Sequence, residues 1–298
     1  MSAAALSRSM VVTPRRRGTI RLLLARRSSW PPLGILAVLV FVSIAAPLIA
    51  PYSPDAFDPL AVLKGPSSQH LFGTDELGRD LLTRTLYGGR LDLLIMTLAT
   101  ALALLIGGTW GSLAAVRVGL VDGVLMRLAD GFMAMPFLVL ALICVAAFGS
   151  SVPSLILILG ILFAPMTARI ARTAVMSELE LDYCVAARAY NTSLPRLVVV
   201  DVLPNILPIL LTQAAVVASQ ALLTAAALSF IGLGVQPPAA SWGTLLREGY
   251  GNIFSSQLYI LWPGLAILAV VWCINTLGDE MRAVLDPRLR RLVASEVV

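Results

Sequence analysis

Six runs of mainly apolar residues, each near twenty long, set the terms for this chain: Leu33–Ala50, Leu91–Val116, Gly123–Phe148, Val152–Thr173, Asn205–Ile231 and Leu258–Leu277. A helix rises 1.5 Å per residue, so about 20 apolar residues reach across the hydrocarbon core of a bilayer. Composition agrees. Charged residues make up 13% of the chain and hydrophobic ones 58%, whereas a soluble domain carries about 25% charged residues. The runs predict an all-α polytopic membrane protein with six transmembrane helices. Pro136, Pro165, Pro208 and Pro263 fall inside them, where neighbouring helices can re-satisfy the backbone bond that a proline removes.

Arginine placement predicts the orientation. Residues 1–32 hold seven arginines and no acid, followed by a run too long for a signal-peptide core and lacking an A-x-A cleavage site. They are expected as a cytoplasmic Arg-rich segment before a retained first helix. Segments 1–32, 117–122, 174–204 and 278–298 then lie inside, and carry Arg117, Arg169, Arg172, Arg188, Arg196, Arg282, Arg288, Arg290 and Arg291 with or beside them. Segments 51–90, 149–151 and 232–257 lie outside, with Lys64, Arg79, Arg84, Arg90 and Arg247. The asymmetry follows the positive-inside rule and puts both termini in the cytoplasm. Basic residues beside apolar runs anchor to lipid, so the net charge of +5 gives no reason to expect nucleic acid.

Within this frame, Asp75 or Thr74 is expected to cap a short helix from about Glu76 to Tyr87. Arg127 and Asp130, three apart near the start of the third run, are expected to pair on one helix face. Arg169 and Arg172 are expected among headgroups, and Asp279 and Glu280 to cap the sixth run or pair with Arg282. Cys144, Cys184 and Cys273 form no CxxC or Cys/His pair and His70 is the single histidine, so neither metal nor cofactor is expected. The chain holds no GxSxG, HExxH or GxxxxGK[ST] sequence, so no catalytic residue is assigned and any ATP site belongs to another polypeptide.

Residues 174–204 are too long for a simple turn. Acids and arginines alternate with apolar residues from Glu178 to Pro204, which predicts helix, sharp turn, helix, with Pro204 leading into the fifth run. Leu181, Val185, Arg188 and Thr192 would share one face, and Ala186, Ala189 and Tyr190 another. Asn191 suits a left-handed stop after the first helix. Ser193 suits a cap for the second, with Pro195 tolerated in its first turn. Such a pair is either a docking knob or a plain surface element.

Ala186-Ala187, the small-residue turn after it and Val202-Leu203-Pro204 resemble the EAA loop of ABC importer permeases. Val185 stands where that family has a glutamate, and Asn191 where it has a glycine. Four further stretches occur in family order: Phe72–Asp80 (FGTDELGRD), Ala227–Pro238 (ALSFIGLGVQPP), Ser241-Trp242-Gly243, and Asn275–Asp279 (NTLGD) through Leu285-Asp286-Pro287-Arg288. They are similar to the C-type permease of dipeptide, oligopeptide and nickel importers. The resemblance implies a type I ABC importer permease fold and a core at 85–285 with a coupling loop at 174–204. Around it stand the first helix and outer loop at 33–84 and a cytoplasmic tail at 286–298.

The resemblance further implies a sister permease, two ABC ATPase subunits, an extracytoplasmic solute-binding protein and a bacterial inner membrane. By it, Tyr183, Val185, Ala186, Ala187, Arg188, Asn191 and Pro204 contact the ATPase. Phe230, Gly232, Gly234, Gln236, Pro237 and Trp242 belong to an extracytoplasmic gate. The implied activity is uptake of small peptides by alternating access, with nickel, glutathione or opines as alternative cargoes. An ion-gradient-driven transporter is the rival class; it tends to carry charged pairs at the membrane midplane.

Overall fold

The computed structural model describes residues 26–285; the Arg-rich lead before Arg26 and the tail from 286 onward, with Arg288, Arg290 and Arg291, lie outside the described residues. Its main helices are α1 (Trp30–Ile44), α2 (Leu81–Val116), α3 (Leu120–Ala134), α4 (Phe137–Phe148), α5 (Val152–Leu179), α6 (Asp182–Ala189), α7 (Leu203–Ile231), α8 (Trp242–Gly251) and α9 (Leu258–Leu285). Among the described residues five helical segments are long and apolar enough to cross a bilayer, and the bent pair α3–α4 makes a sixth candidate.

The third run departs from expectation. Instead of one straight helix it forms α3 and α4, bent by 92° at Met135–Pro136. Pro165 and Pro263 are buried among helices, and Pro208 is half-buried, whereas Pro136 is exposed. With no neighbour to re-satisfy the backbone there, the helix breaks. The first run also divides, at Ala45, before a single helical turn at Ala46–Ile49.

Segment 51–90 corrects a second expectation. Asp75 does not cap a helix at Glu76. Its Oδ1 accepts from Leu77 N at 2.8 Å and Arg79 N at 2.9 Å, closing a turn. Gly78 completes that turn at φ 75°, and a Cβ there would lie 1.9 Å from Asp58 O. The helix can start only beyond it, where Asp80 caps α2 by accepting from Thr83 N at 2.8 Å. From there α2 runs unbroken through the second apolar run.

The core forms around α2 and α5, which touch through small residues. A Cβ on Gly107 would lie 2.5 Å from Ala164 O, one on Gly111 2.2 Å from Ala168 O, and one on Gly160 2.6 Å from Leu102. Close backbone approach of this kind is how helices associate where lipid removes the hydrophobic drive between them. Ile95, Ala99 and Ala103 of α2 and Leu155, Leu159 and Phe163 of α5 then pack with Val217, Ala221 and Leu228 of α7. A second cluster joins Leu93 and Met96 to Leu222, Trp242, Ile267 and Val270, with Leu36 and Val40 of α1 against it.

The charged pairs were expected differently. Asp130 bonds to Arg169 of α5 rather than to Arg127. Arg172 holds Asp122 of α3 through two bonds of 2.6 Å, so both α5 arginines meet carboxylates instead of serving only headgroups. Arg282 does pair with Asp279, at 3.3 Å, but Glu280 bonds to Arg26 at 2.5 Å.

Candidate functional site

At one end of the bundle, α5 turns at Glu180–Leu181 into the eight-residue α6. Asp182 in its first turn and Arg188 in its last both complement the helix dipole. Asn191 ends the helix at φ 62°, as expected. Thr192 N donates to Ala187 O at 3.1 Å and Asn191 N to Arg188 O at 2.9 Å, a six-to-one closure.

The second helix differs from expectation. Ser193 makes no side-chain cap bond, and Leu194–Leu197 forms a single turn with Pro195 in it. A widened π turn at Val198–Val202 then carries the chain straight into α7, so Leu194–Ile231 is one continuous helical segment. That turn sits just before Pro204 and accommodates the bond a proline cannot make.

The two faces expected of α6 are both exterior. The buried side is a third, set by Cys184 and Ala187, which pack with Val175, Leu179, Leu197, Val198 and Val202. Tyr183, Val185, Ala186, Arg188 and Asn191 are exposed, Ala187 is half-buried, and Pro204 lies apart at the head of α7. Val185 is 55% and Tyr190 87% exposed. Polar bonds brace the knob: Tyr183 Oη donates to Glu178 Oε1 at 2.7 Å and accepts from Asn205 Nδ2 at 2.9 Å. Arg188 donates to Leu179 O at 3.1 Å. Burial, together with bonds to Cys184 and Glu178, raises the Tyr183 phenol above its ordinary value. The exposed side of this braced helix presents Tyr183, Val185, Ala186 and Tyr190 beside the charged Asp182 and Arg188.

At the opposite end, α7 closes on Gly232 at φ 91°, with Leu233 N donating to Leu228 O at 2.8 Å. Gln236 Nε2 donates to Gly232 O and Gly234 O, each at 3.0 Å, holding the turn that precedes the cis Pro237–Pro238 bond. Phe230, Gln236 and Pro237 are exposed, and Pro238 flanks an open pocket of about 420 Å³ with Asp55, Tyr87, Arg90 and Leu94.

Trp242 separates from this group. It is 2% exposed and begins α8 behind a capping box formed by Ser241 and Thr244. Its backbone N–H donates to Asp92 Oδ2 at 2.7 Å, and its indole Nε1 donates to Thr85 O at 2.9 Å. It pins α8 to α2, and is not a surface residue of the turn.

Beside it lies a charge cluster that the motifs contained but did not declare. Arg79 Nε donates to Asp75 Oδ2 at 2.6 Å, Arg84 Nη1 to the same oxygen at 3.0 Å, and Arg84 Nη2 stands 3.3 Å from Glu248 Oε2. Tyr259 donates to that oxygen at 2.6 Å. Two acids and two arginines balance. Burial pushes the Glu248 carboxyl above the usual carboxylate range, opposed by the Tyr259 bond and by Arg79. Asp75, Arg79 and Arg84 lie in or just beyond the FGTDELGRD stretch, but their partner is 164 positions on from Arg84. Among the described residues no group of His, Cys, Asp and Glu is placed to hold a metal ion.

Comparison with known proteins follows the same lines. The chain is 40% identical over 261 residues to the di/tripeptide transport system permease protein DppC of Pseudomonas aeruginosa (strain UCBPP-PA14), covering 86% of each chain. It is 39% identical over 262 residues to the dipeptide transport system permease protein DppC of Escherichia coli (strain K12), covering 86% of this chain and 87% of that one. The fold is like that of a chain from inward-facing structures of the MetNI methionine ABC transporter, with a TM-score of 0.58 at 20% identity over 69% of this chain and 98% of that one. Residues 103–291 match the family model described as binding-protein-dependent transport system inner membrane component, and the chain belongs to that family.

Proposed function

We propose that this chain is one of two different permease subunits in an ATP-driven importer that moves small peptides into the cytoplasm of a bacterium. Two ABC ATPase subunits and an extracytoplasmic binding protein complete the complex. The observation that carries the cargo is the pair of relatives near 40% identity, one a di/tripeptide and one a dipeptide transport permease, covered to 86% and 87% by this chain. Both termini lie in the cytoplasm, which puts the α6 knob on that side and the 232–242 turn outside.

The mechanism is indirect. Nucleotide binding closes the ATPases, α6 moves with them, and the helices attached to it switch the cavity from outward- to inward-facing. The driving free energy comes from ATP binding one ATPase arrangement better than the other, since only a ligand that distinguishes two states shifts them. Tyr183, Val185, Ala186, Arg188 and Asn191 form the exposed contact, Ala187 supports it from beneath, and Pro204 acts at the root of α7. Phe230, Gly232, Gly234, Gln236 and Pro237 form the outer gate turn, and Trp242 anchors it.

The test is peptide uptake and ATP hydrolysis by the complete complex in proteoliposomes. A dipeptide or tripeptide should accumulate with ATP and stimulate hydrolysis; accumulation of a nickel chelate, glutathione or an opine instead would reassign the cargo. Ala186→Arg should remove coupling and co-purification of the ATPases, because a long cation holds the knob away from its groove. Normal coupling in that variant would reduce α6 to a surface helix.

A further inference from the structure

Helix α3 is joined to the rest of the molecule in an unusual way. Ala129 is its one buried residue. Both of its ends are exposed: Gly119 precedes it at φ 113° with no atom within 4 Å of its Cβ position, and the 92° bend at Met135–Pro136 follows it. Besides Ala129 and the half-buried Leu125 and Met126, what ties it down is polar. Asp122 is gripped by Arg172 through two parallel bonds of 2.6 Å, and Asp130 bonds to Arg169. The two pairs differ in shelter. The Asp122 and Arg172 side chains are 13% and 28% exposed, those of Asp130 and Arg169 58% and 50%. An exposed pair contributes little, whereas breaking a sheltered bidentate pair leaves a desolvated charge behind.

Both arginines belong to α5, and α5 leads directly into the knob. Val175 and Leu179, on the last turns of α5, share one apolar cluster with Cys184 and Ala187 of α6. Arg188 is bonded to Leu179 O and Tyr183 to Glu178. A stiff path therefore runs from α6 through the end of α5 to Arg172, and across to Asp122. At the far end of α3 the tie is the exposed Asp130–Arg169 pair, followed by the exposed bend at Pro136.

We propose that Asp122 and Arg172 are positioning residues that make α3 travel with the α6 knob, the chain flexing at Met135–Pro136 between α3 and α4. This rests on the reading of α6 as the ATPase contact. Displacement of the knob is then carried into the third span through a charge clamp, α5 bending at Pro165 between Phe163, on which Phe137 of α4 stacks, and Arg172.

Two measurements on the complete reconstituted complex test this. Asp122→Asn and Arg172→Gln should each lower peptide moved per ATP hydrolysed by about fivefold or more, the lower end of ordinary coupling energies, while the ATPases still co-purify. The exchanged pair, Asp122→Arg with Arg172→Asp, should recover most of the ratio, and Asp130→Asn should lose less than either single change. An unchanged ratio in Asp122→Asn, or an exchanged pair no better than the single variants, overturns the proposal. Retained ATPase binding separates this failure from failure of the knob reading, which Ala186→Arg probes on its own.

The second measurement needs no altered clamp. Spin labels at Leu120 and Tyr190, which are 88% and 87% exposed, and at Leu120 and Phe148, which is 74% exposed, report the two distances. The first should stay constant between the nucleotide-free and ATP-trapped complex, and the second should change. A shift in the Leu120–Tyr190 distance, or no change in either, overturns the proposal.

Discussion

Trp242 donates its backbone N–H to Asp92 across 150 positions of sequence, at 2.7 Å, with both residues buried. That single bond seats the first turn of α8 on the flank of α2. A Cβ on Gly89 would lie 2.7 Å from the Trp242 ring, and one on Gly88 a tight 3.1 Å from the Ser241 backbone, so α2 meets α8 through glycines. Asp92→Ala should leave a buried N–H without an acceptor, at a cost of about 1–3 kcal/mol. Asp92→Asn retains an acceptor oxygen and should cost less. Thermal denaturation of the purified complex in detergent measures the order.

The α2–α5 seam gives the second prediction. Gly111→Val should disrupt the bundle, because its Cβ would fall 2.2 Å from Ala168 O; overpacking of this kind costs about 1–3 kcal/mol or more. Gly108→Ala, where no atom lies within 4 Å, should be tolerated and slightly stabilising by the better helix propensity of alanine. Yield of folded protein on size-exclusion chromatography, read beside the melting temperature, separates the two.

In the Asp75–Arg84–Glu248 cluster, Arg84→Met removes one cation from between Asp75 and Glu248. Breaking a buried pair from one side costs about 3–5 kcal/mol, so this variant should lose most of its folded population. Arg282→Ala, whose partner Asp279 is 73% exposed, should change stability by less than about 1 kcal/mol. Comparable losses in both would remove the cluster's special standing.

Glu248 adds a pH dependence of definite sign. Burial raises its carboxyl in the folded protein above the value of 4.5 expected when unfolded. The folded state therefore binds the proton more tightly. Its stabilising contribution is present in full below the unfolded value and is lost as pH rises through the folded one. Glu248→Gln keeps an acceptor for Tyr259 and cannot ionise, so its melting temperature should fall less than that of the parent as pH is raised from about 4.5 toward neutrality. Parallel curves would show that Glu248 does not carry the effect.

For topology, single cysteines at Ser67 and Ser255 should react with a membrane-impermeant thiol reagent in intact cells. Both are exposed, in segments 51–90 and 232–257. Protection at both, with labelling at Ser295, would reverse the orientation.

Apolar run length decided the spans before any contact was known, because a backbone in lipid must satisfy its own hydrogen bonds and has only the helix to do it. Local chemistry was equally legible. Asn191 adopts the left-handed stop that its side chain tolerates, and Asp279 meets Arg282 one turn away. The knob's buried side was not legible, because Cys184 and Ala187 face inward only when Leu197 and Val198 return beneath them. The break at Pro136 was not legible either. The same residue type is absorbed at Pro165 and Pro263, and what differs is whether a neighbouring helix covers it.

The amino-acid sequence by itself determined where the chain is apolar enough to cross a bilayer, where Asn191 stops a helix and which family its motifs resemble, since each follows from interactions within a few residues. Only the tertiary structure decided that Arg172 holds Asp122, that Arg84 bridges Asp75 and Glu248, and that Trp242 rests on Asp92. A charge next to an apolar run is satisfied equally well by water, by a headgroup or by an opposite charge. The choice among them is made by which helices pack side by side.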